Sequence, residues 1–255
     1  MYIDLSGAYA FLMIMLRMTG LLTLSPIFGR QNIPTLSRMG LAFFLSVLLM
    51  GTVRVVPDLQ LSLLQLLYHA LFELAIGMMV GVVFRMFLSV LFVGGDVIDT
   101  QMGISMSKSF DPSSNMSIST TANLLNAMFY LLFFLTNSHH TFFRMAAQTF
   151  NILPLGGTQL NPNAFYYIAE LMSTIFILAI KLSMPIVIIE LIVTMAVGII
   201  MRVVPQINIF AVNIQFKLAV GLVTLLLLVP AFSGFIENLI TICFEQVGEI
   251  LLISR

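Results

Sequence analysis

Charged side chains are scarce in this chain. Asp, Glu, Lys and Arg make up 9% of its 255 residues, against about 25% in ordinary soluble domains. Eleven basic and eleven acidic residues cancel, so there is neither a basic field to draw nucleic acid nor an acidic tail, and no nucleic acid partner is expected. Cysteine occurs once, as Cys243. A single thiol excludes an intramolecular disulfide and a thiolate metal site. Catalytic signatures are missing as well: the sequence has no HExxH, no GxSxG and no glycine-lysine phosphate loop. His139 and His140 are adjacent, so on a helix they project about 100° apart and make a poor metal pair. Neither an enzyme nor a bound metal or cofactor is expected. Positive charge is also absent from Met1-Tyr2-Ile3-Asp4, and the apolar run after it exceeds the roughly 7 to 15 residues of a signal-peptide core, which predicts a retained helix.

What is abundant is apolar surface. Hydrophobic residues make up 60% of the chain and its mean hydropathy is +1.07, values that place it in a lipid bilayer. The expected class is all-α: a polytopic membrane protein of long, kinked helices and helical hairpins. A spanning helix needs about 20 mostly apolar residues to cross ~30 Å of hydrocarbon. The candidate runs are Leu5 to Phe28, Leu36 to Val56, Leu61 to Val93, Asn123 to Leu135, Ala164 to Val204 and Phe216 to Ile253. Their lengths are irregular, which points to helices packed on protein rather than all immersed in lipid. Ala164 to Val204 is overlong, and Pro185 is placed to kink or divide it. Pro230 and Gly234 suffice to turn Phe216 to Ile253 into a hairpin. Gly29 to Ser37, Gly94 to Thr120 and Thr136 to Asn163 read as polar connections.

Charges inside such runs are costly and face a bundle interior or a wet cavity. Arg17, Glu73, Arg85, Glu170, Lys181 and Glu190 are the candidates for buried charges. The readings that stay open for them are a proton or ion path, ion pairs between packed helices, and side chains that lie beyond the oily layer. Glu170 and Lys181 project from the same helical face, three turns apart. Asp96 and Asp99 stand at i,i+3, where local capping or solvation competes with a cation site. Gly77-Met78-Met79-Val80-Gly81 is a GxxxG, a spacing that lets membrane helices approach closely.

One polar stretch breaks the pattern. From Gly103 to Ser119, GISMSKSFDPSSNMSIS, seven of seventeen residues are serine. Ile104, Met106, Lys108 and Phe110 alternate with Ser105, Ser107 and Ser109, so an extended backbone would have a sealing side and a polar side. Asp111-Pro112 ends this alternation, because proline disfavours helix at the residue before it. Met102, Met106 and Met116 flank or punctuate the stretch with compliant side chains suited to a changing surface.

Three segments together carry a family resemblance. Pro26 to Ser46 (PIFGRQNIPTLSRMGLAFFLS) contains Pro34, Arg38 and Gly40. The second runs from Gln101 to Pro112 (QMGISMSKSFDP) through Asn151 to Gly157 (NILPLGG). The third, Arg202 to Leu222 (RVVPQINIFAVNIQFKLAVGL), is the most specific, with Arg202, Pro205, Gln206, Asn208 and Phe210 in an R-x-x-P-Q-x-N-x-F core. In this order they resemble the FliR family of flagellar type III secretion export-gate proteins, with a departure at Asn213 to Leu218, where relatives commonly carry a glycine-phenylalanine-proline turn. The resemblance implies a non-enzymatic, multi-pass subunit of the bacterial inner membrane and flagellar basal body, assembled with FliP and FliQ into a closed helical gate and touching FlhB. Unfolded exported proteins would pass through that gate. The resemblance further implies a FliP-like part over 1–165, a FliQ-like hairpin part over 166–255, and a plug made by the 103–119 loop. The alternative reading is a secondary transporter or channel for a small solute that uses the buried charges; no paired broken helices in two related halves support it.

Overall fold

A computed structural model of the chain describes residues 5–29, 33–53, 62–105, 119–156, 161–203 and 209–254. Among them are eight helices and no strand: α1 Leu5–Leu24, α2 Thr35–Met50, α3 Leu63–Gln101, α4 Thr120–Leu135, α5 Ser138–Ile152, α6 Asn163–Val203, α7 Ile209–Leu227 and α8 Val229–Ile253. α1, α3 and α6 are long and apolar enough to cross a membrane, and α7 with α8 makes a fourth candidate span bent by 60°. The chain is an all-α polytopic membrane protein.

Several helix starts follow from local side-chain chemistry. At α3, the Ser62 hydroxyl accepts from the Gln65 amide while Gln65 Oε1 accepts from the Ser62 amide at 2.8 Å. This reciprocal capping box satisfies two donors that the first turn leaves without helical partners. At α6, Asn161 Oδ1 accepts from the Asn163 amide at 3.0 Å, and Pro162 stands where its missing N–H costs nothing.

The chain divides into two compact units, one comprising Met1–Phe87, Thr136–Met172 and Ile240–Arg255, the other Leu88–Leu135 and Ser173–Leu239. In the first, α1 packs on α3 through glycine. A Cβ at Gly20 would meet the Leu74 carbonyl at 2.5 Å, and one at Gly77 would collide with the Arg17 carbonyl. The two backbones touch, as small residues allow in membranes. Phe84 packs edge-on against Phe142 of α5 and Phe244 of α8, with ring centroids 5.0 Å and 5.5 Å apart. In the second unit, Glu190 of α6 and Gly221 of α7 lie side by side. This contact pairs α6 with α7.

Three sequence expectations are corrected and the one for Pro185 is narrowed. α3 does not stop at Val93 but continues through Gly94 and Gly95 to Gln101. Pro185 lies inside α6 without dividing it. Pro230 falls in the first turn of α8, where proline is tolerated, so the chain bends by 60° there instead of reversing. Thr136 to Asn163 is not only a connection, since it holds α5, which buries Phe142, Ala146, Thr149 and Phe150 on one face.

Candidate functional site

The polar stretch is rooted on two helix ends, and both ends are described. α3 finishes in a left-handed turn. Gly103 has φ +78°, its amide donates to the Thr100 carbonyl at 3.3 Å, and the Ile104 amide donates to the Asp99 carbonyl at 3.0 Å. These two bonds are the Schellman closure of a helix, and the glycine at its left-handed position avoids the Cβ penalty. Ser105 Oγ lies 3.3 Å from Thr100 Oγ1.

α4 begins where the stretch ends. Ser119 caps it, its hydroxyl oxygen accepting from the Ala122 amide at 3.1 Å. Asp99, reaching across from the last turn of α3, completes the cap. Its Oδ2 accepts from the Ser119 hydroxyl at 2.7 Å and from the Thr120 amide at 2.6 Å, its Oδ1 accepts from the Thr121 amide at 3.2 Å, and the Thr121 hydroxyl donates to it as well. The carboxylate is fully buried. α4 comes this near because residue 95 has no side chain: a Cβ there would lie 2.5 Å from Ala122 Cα. Of the Asp96/Asp99 pair, Asp99 therefore caps a helix, though a distant one, and Asp96 is exposed.

Met102, the residue before the turn, is fully buried and converges with Glu190 on Gly221. A Cβ at 221 would meet Met102 Cγ at 2.6 Å and Glu190 Oε1 at 2.9 Å. Neither carboxyl oxygen of Glu190 is hydrogen-bonded; Lys217, one turn away on α7, acts on it electrostatically.

In the other unit, Arg17 and Glu73 form a buried ion pair between α1 and α3. Arg17 Nε donates to Glu73 Oε2 at 2.6 Å, with side-chain exposures of 0% and 1%. Arg17 Nη1 also donates to the Thr149 carbonyl at 3.0 Å and the Leu153 carbonyl at 2.8 Å. Those carbonyls lie at the carboxyl-terminal end of α5, where the dipole favours a cation, and the Thr149 carbonyl also accepts from the Leu153 amide at 2.9 Å. The guanidinium stands 4.3 Å from the Phe150 ring centroid, a cation–π contact. For Arg17 and Glu73 the ion-pair reading describes the geometry.

The remaining sequence candidates fall in several places. Arg85, Glu170 and Lys181 are exposed on this chain, so burial, expected of all six charges, holds for Arg17, Glu73 and Glu190 alone. Pro34 precedes α2 and is exposed, as is Gly40; Arg38 is half-buried and donates from Nη2 to the Ile33 carbonyl at 2.9 Å. Arg202 is exposed near the end of α6, and Phe210 lies in the first turn of α7. α7 runs unbroken through Asn213 to Leu218. Ile104 and Ser105 are half-buried, and Ser105 already has helical backbone, which corrects the extended reading at its start. Met106, Ser107, Ser109, Phe110, Asp111, Pro112 and Met116 lie outside the described residues, as do Pro205, Gln206 and Asn208. Among the described residues, no three His, Cys, Asp or Glu side chains come together as a metal site.

The sequence reading missed Ser119, Thr120 and Thr121 as partners of Asp99. The signal was a Ser-Thr-Thr run opening an apolar helix, which is an N-cap pattern. Nothing in the sequence linked Arg17 to Thr149 and Leu153, which lie 132 and 136 residues away.

Comparison with known proteins extends this picture. The family of bacterial export proteins, family 1, matches residues 8–242. The flagellar biosynthetic protein FliR of Bacillus subtilis (strain 168) is 28% identical over 247 residues, covering 95% of this chain and 94% of the relative. FliR of Escherichia coli (strain K12) is 27% identical over 237 residues, covering 93% and 90%, and FliR of Aquifex aeolicus (strain VF5) is 28% identical over 230 residues, covering 87% and 86%. With matches that run nearly end to end and a helical membrane architecture, the chain belongs to the bacterial export proteins, family 1, as a member of its FliR family.

Proposed function

We propose that this protein is a non-enzymatic subunit of the flagellar type III export gate in the bacterial inner membrane. It assembles with FliP and FliQ, touches FlhB, and helps to form and plug the channel through which unfolded proteins leave the cell. On this reading residues 1–165 are the FliP-like part and 166–255 the FliQ-like part, for which the contact of α6 with α7 at Glu190 and Gly221 gives support. Gly103 to Ser119 supplies the plug, with Ile104, Met106, Phe110 and Met116 sealing and Ser105, Ser107 and Ser109 keeping the backbone hydrated.

The observation that carries the proposal is the rooting of that segment. A serine-rich stretch is tied at both ends to one residue, the Ile104 amide to the Asp99 backbone carbonyl and the Ser119 hydroxyl and Thr120 amide to its buried carboxylate, in a chain of a bacterial export family. Exposed apolar side chains on α2 and α6, Leu36 at 81% and Met195 at 68% among them, suit a subunit that finishes its core against lipid and other chains.

The test is made in the assembled apparatus. Replacing Met106 and Phe110 together by alanine is expected to raise ion leak across the membrane while co-purification with FliP and FliQ persists. A photo-cross-linker at position 106 is expected to capture a stalled export substrate. Unchanged leak together with no cross-link would refute the plug, and purified protein that alone moved a small solute down its gradient would support a transporter instead.

A further inference from the structure

We propose that Asp99 is a positioning residue for the 103–119 segment, one residue that holds the exit from α3 by its backbone and the entry to α4 by its side chain; this rests on the reading of that segment as the seal. Its backbone carbonyl takes the Ile104 amide at the outgoing root. Its side chain takes the Ser119 hydroxyl and the Thr120 and Thr121 amides at the returning root.

The choice of an acid at this position carries the inference. Asp99 occupies the last turn of α3, where the carbonyl end of the helix dipole repels negative charge. For α3 alone an aspartate there is unfavourable. The same carboxylate sits on the amino-terminal end of α4, where the dipole and free amides attract it. It is fully buried, so a charge that lost those donors would have no water to replace them. A residue poorly suited to its own helix and well matched to a distant one marks a tertiary role. The approach that makes the match possible depends on Gly95, where any side chain would meet the Ala122 backbone.

The clamp and the seal are distinguishable by experiment. In the assembled apparatus, Asp99→Ala is expected to speed hydrogen exchange at the Thr120 and Thr121 amides by about tenfold to a hundredfold, the effect of losing a hydrogen bond to a charged acceptor. It is also expected to raise ion leak severalfold without lowering co-purification with partner subunits. Leak in the Met106→Ala/Phe110→Ala double variant but not in Asp99→Ala overturns the anchor and leaves the seal standing. Leak in Asp99→Ala alone leaves the anchor standing and removes sealing from those two side chains. Leak in neither overturns both. Should Asp99→Ala fail to accumulate, Asp99→Cys/Ser119→Cys replaces the carboxylate–hydroxyl bond by a reducible bridge. It is expected to be tight when oxidised and leaky when reduced, a difference within one polypeptide that a purely structural contribution to assembly would not produce. Equal leak in the two redox states overturns the proposal.

Discussion

Removing Glu73 tests how the amino-terminal half is held together. In Glu73→Ala the Arg17 guanidinium keeps its bonds to the Thr149 and Leu153 carbonyls and its contact with Phe150, but loses its counter-charge at a position with no exposure. Breaking one side of a buried ion pair costs about 3–5 kcal/mol, because a charge is left uncompensated. At about 2–4 °C per kcal/mol for chains of this size, the apparent Tm of the purified membrane protein should fall by roughly 10 °C. Arg17→Met/Glu73→Leu removes both charges and should recover part of this loss, not all. The Leu153 carbonyl then loses a buried donor, at about 1–3 kcal/mol, whereas the Thr149 carbonyl keeps the Leu153 amide. The assay is a thermal melt in detergent of the parent, Glu73→Ala and Arg17→Met/Glu73→Leu, with Lys181→Ala as the exposed reference, expected within about 0.5 kcal/mol of the parent. If Glu73→Ala melts with Lys181→Ala, or the double variant recovers nothing, the pair does not hold these helices as the geometry requires.

Two further outcomes follow from single positions. Gly77→Ala should sharply reduce the amount of folded protein recovered from membranes, because its methyl would collide with the Arg17 carbonyl. Gly40→Ala meets nothing within 4 Å and should be neutral or stabilising by up to about 1 kcal/mol through helix propensity; equal yields of the two variants would refute the close α1–α3 approach. Glu190→Leu removes a buried carboxyl whose two oxygens lack hydrogen bonds and should raise thermal stability by about 1–3 kcal/mol. A lower melting temperature in the assembled complex would show that a partner group engages it.

Long apolar runs made α1, α3 and α6 legible, since twenty oily residues have few soluble alternatives. α5 was not. It has fifteen residues and presents Phe142, Ala146, Thr149 and Phe150 to the core with polar positions between them, so a search for uniform apolarity passes over it although the helical spacing is there. Gly94 and Gly95 read as a stop on propensity alone; contact with Ala122 reverses that meaning, because glycine is what the packing needs at 95. Proline misled at Pro230, since sequence cannot say whether a proline falls in a first turn, and at Pro185 only the reading of a divided helix fell away. The buried charges were found by rarity but not sorted. Periodicity would have helped: at about 100° per residue Lys181 lies opposite Glu190 and shares its face with Glu170, and the structure buries only Glu190 of the three. For the polar stretch, composition located the segment, while the cap pattern at its end went unread. The aspartate that joins the two roots was visible only as half of an Asp-x-x-Asp.

The Arg17 cluster also sets a schedule for synthesis. The arginine enters the membrane in the first helix, yet Glu73 follows it by 56 residues and Thr149 by 132. At about 5–20 residues per second, the counter-charge is made roughly 3–11 s later and the α5 carbonyl roughly 7–26 s later. Through that interval a guanidinium costing about 2.5–3.5 kcal/mol at a helix centre stands in the bilayer without its final partners. The nascent amino-terminal half is thus held in a state that favours waiting near water or the insertion machinery, and α1 settles against α3 only after the middle of the chain has emerged.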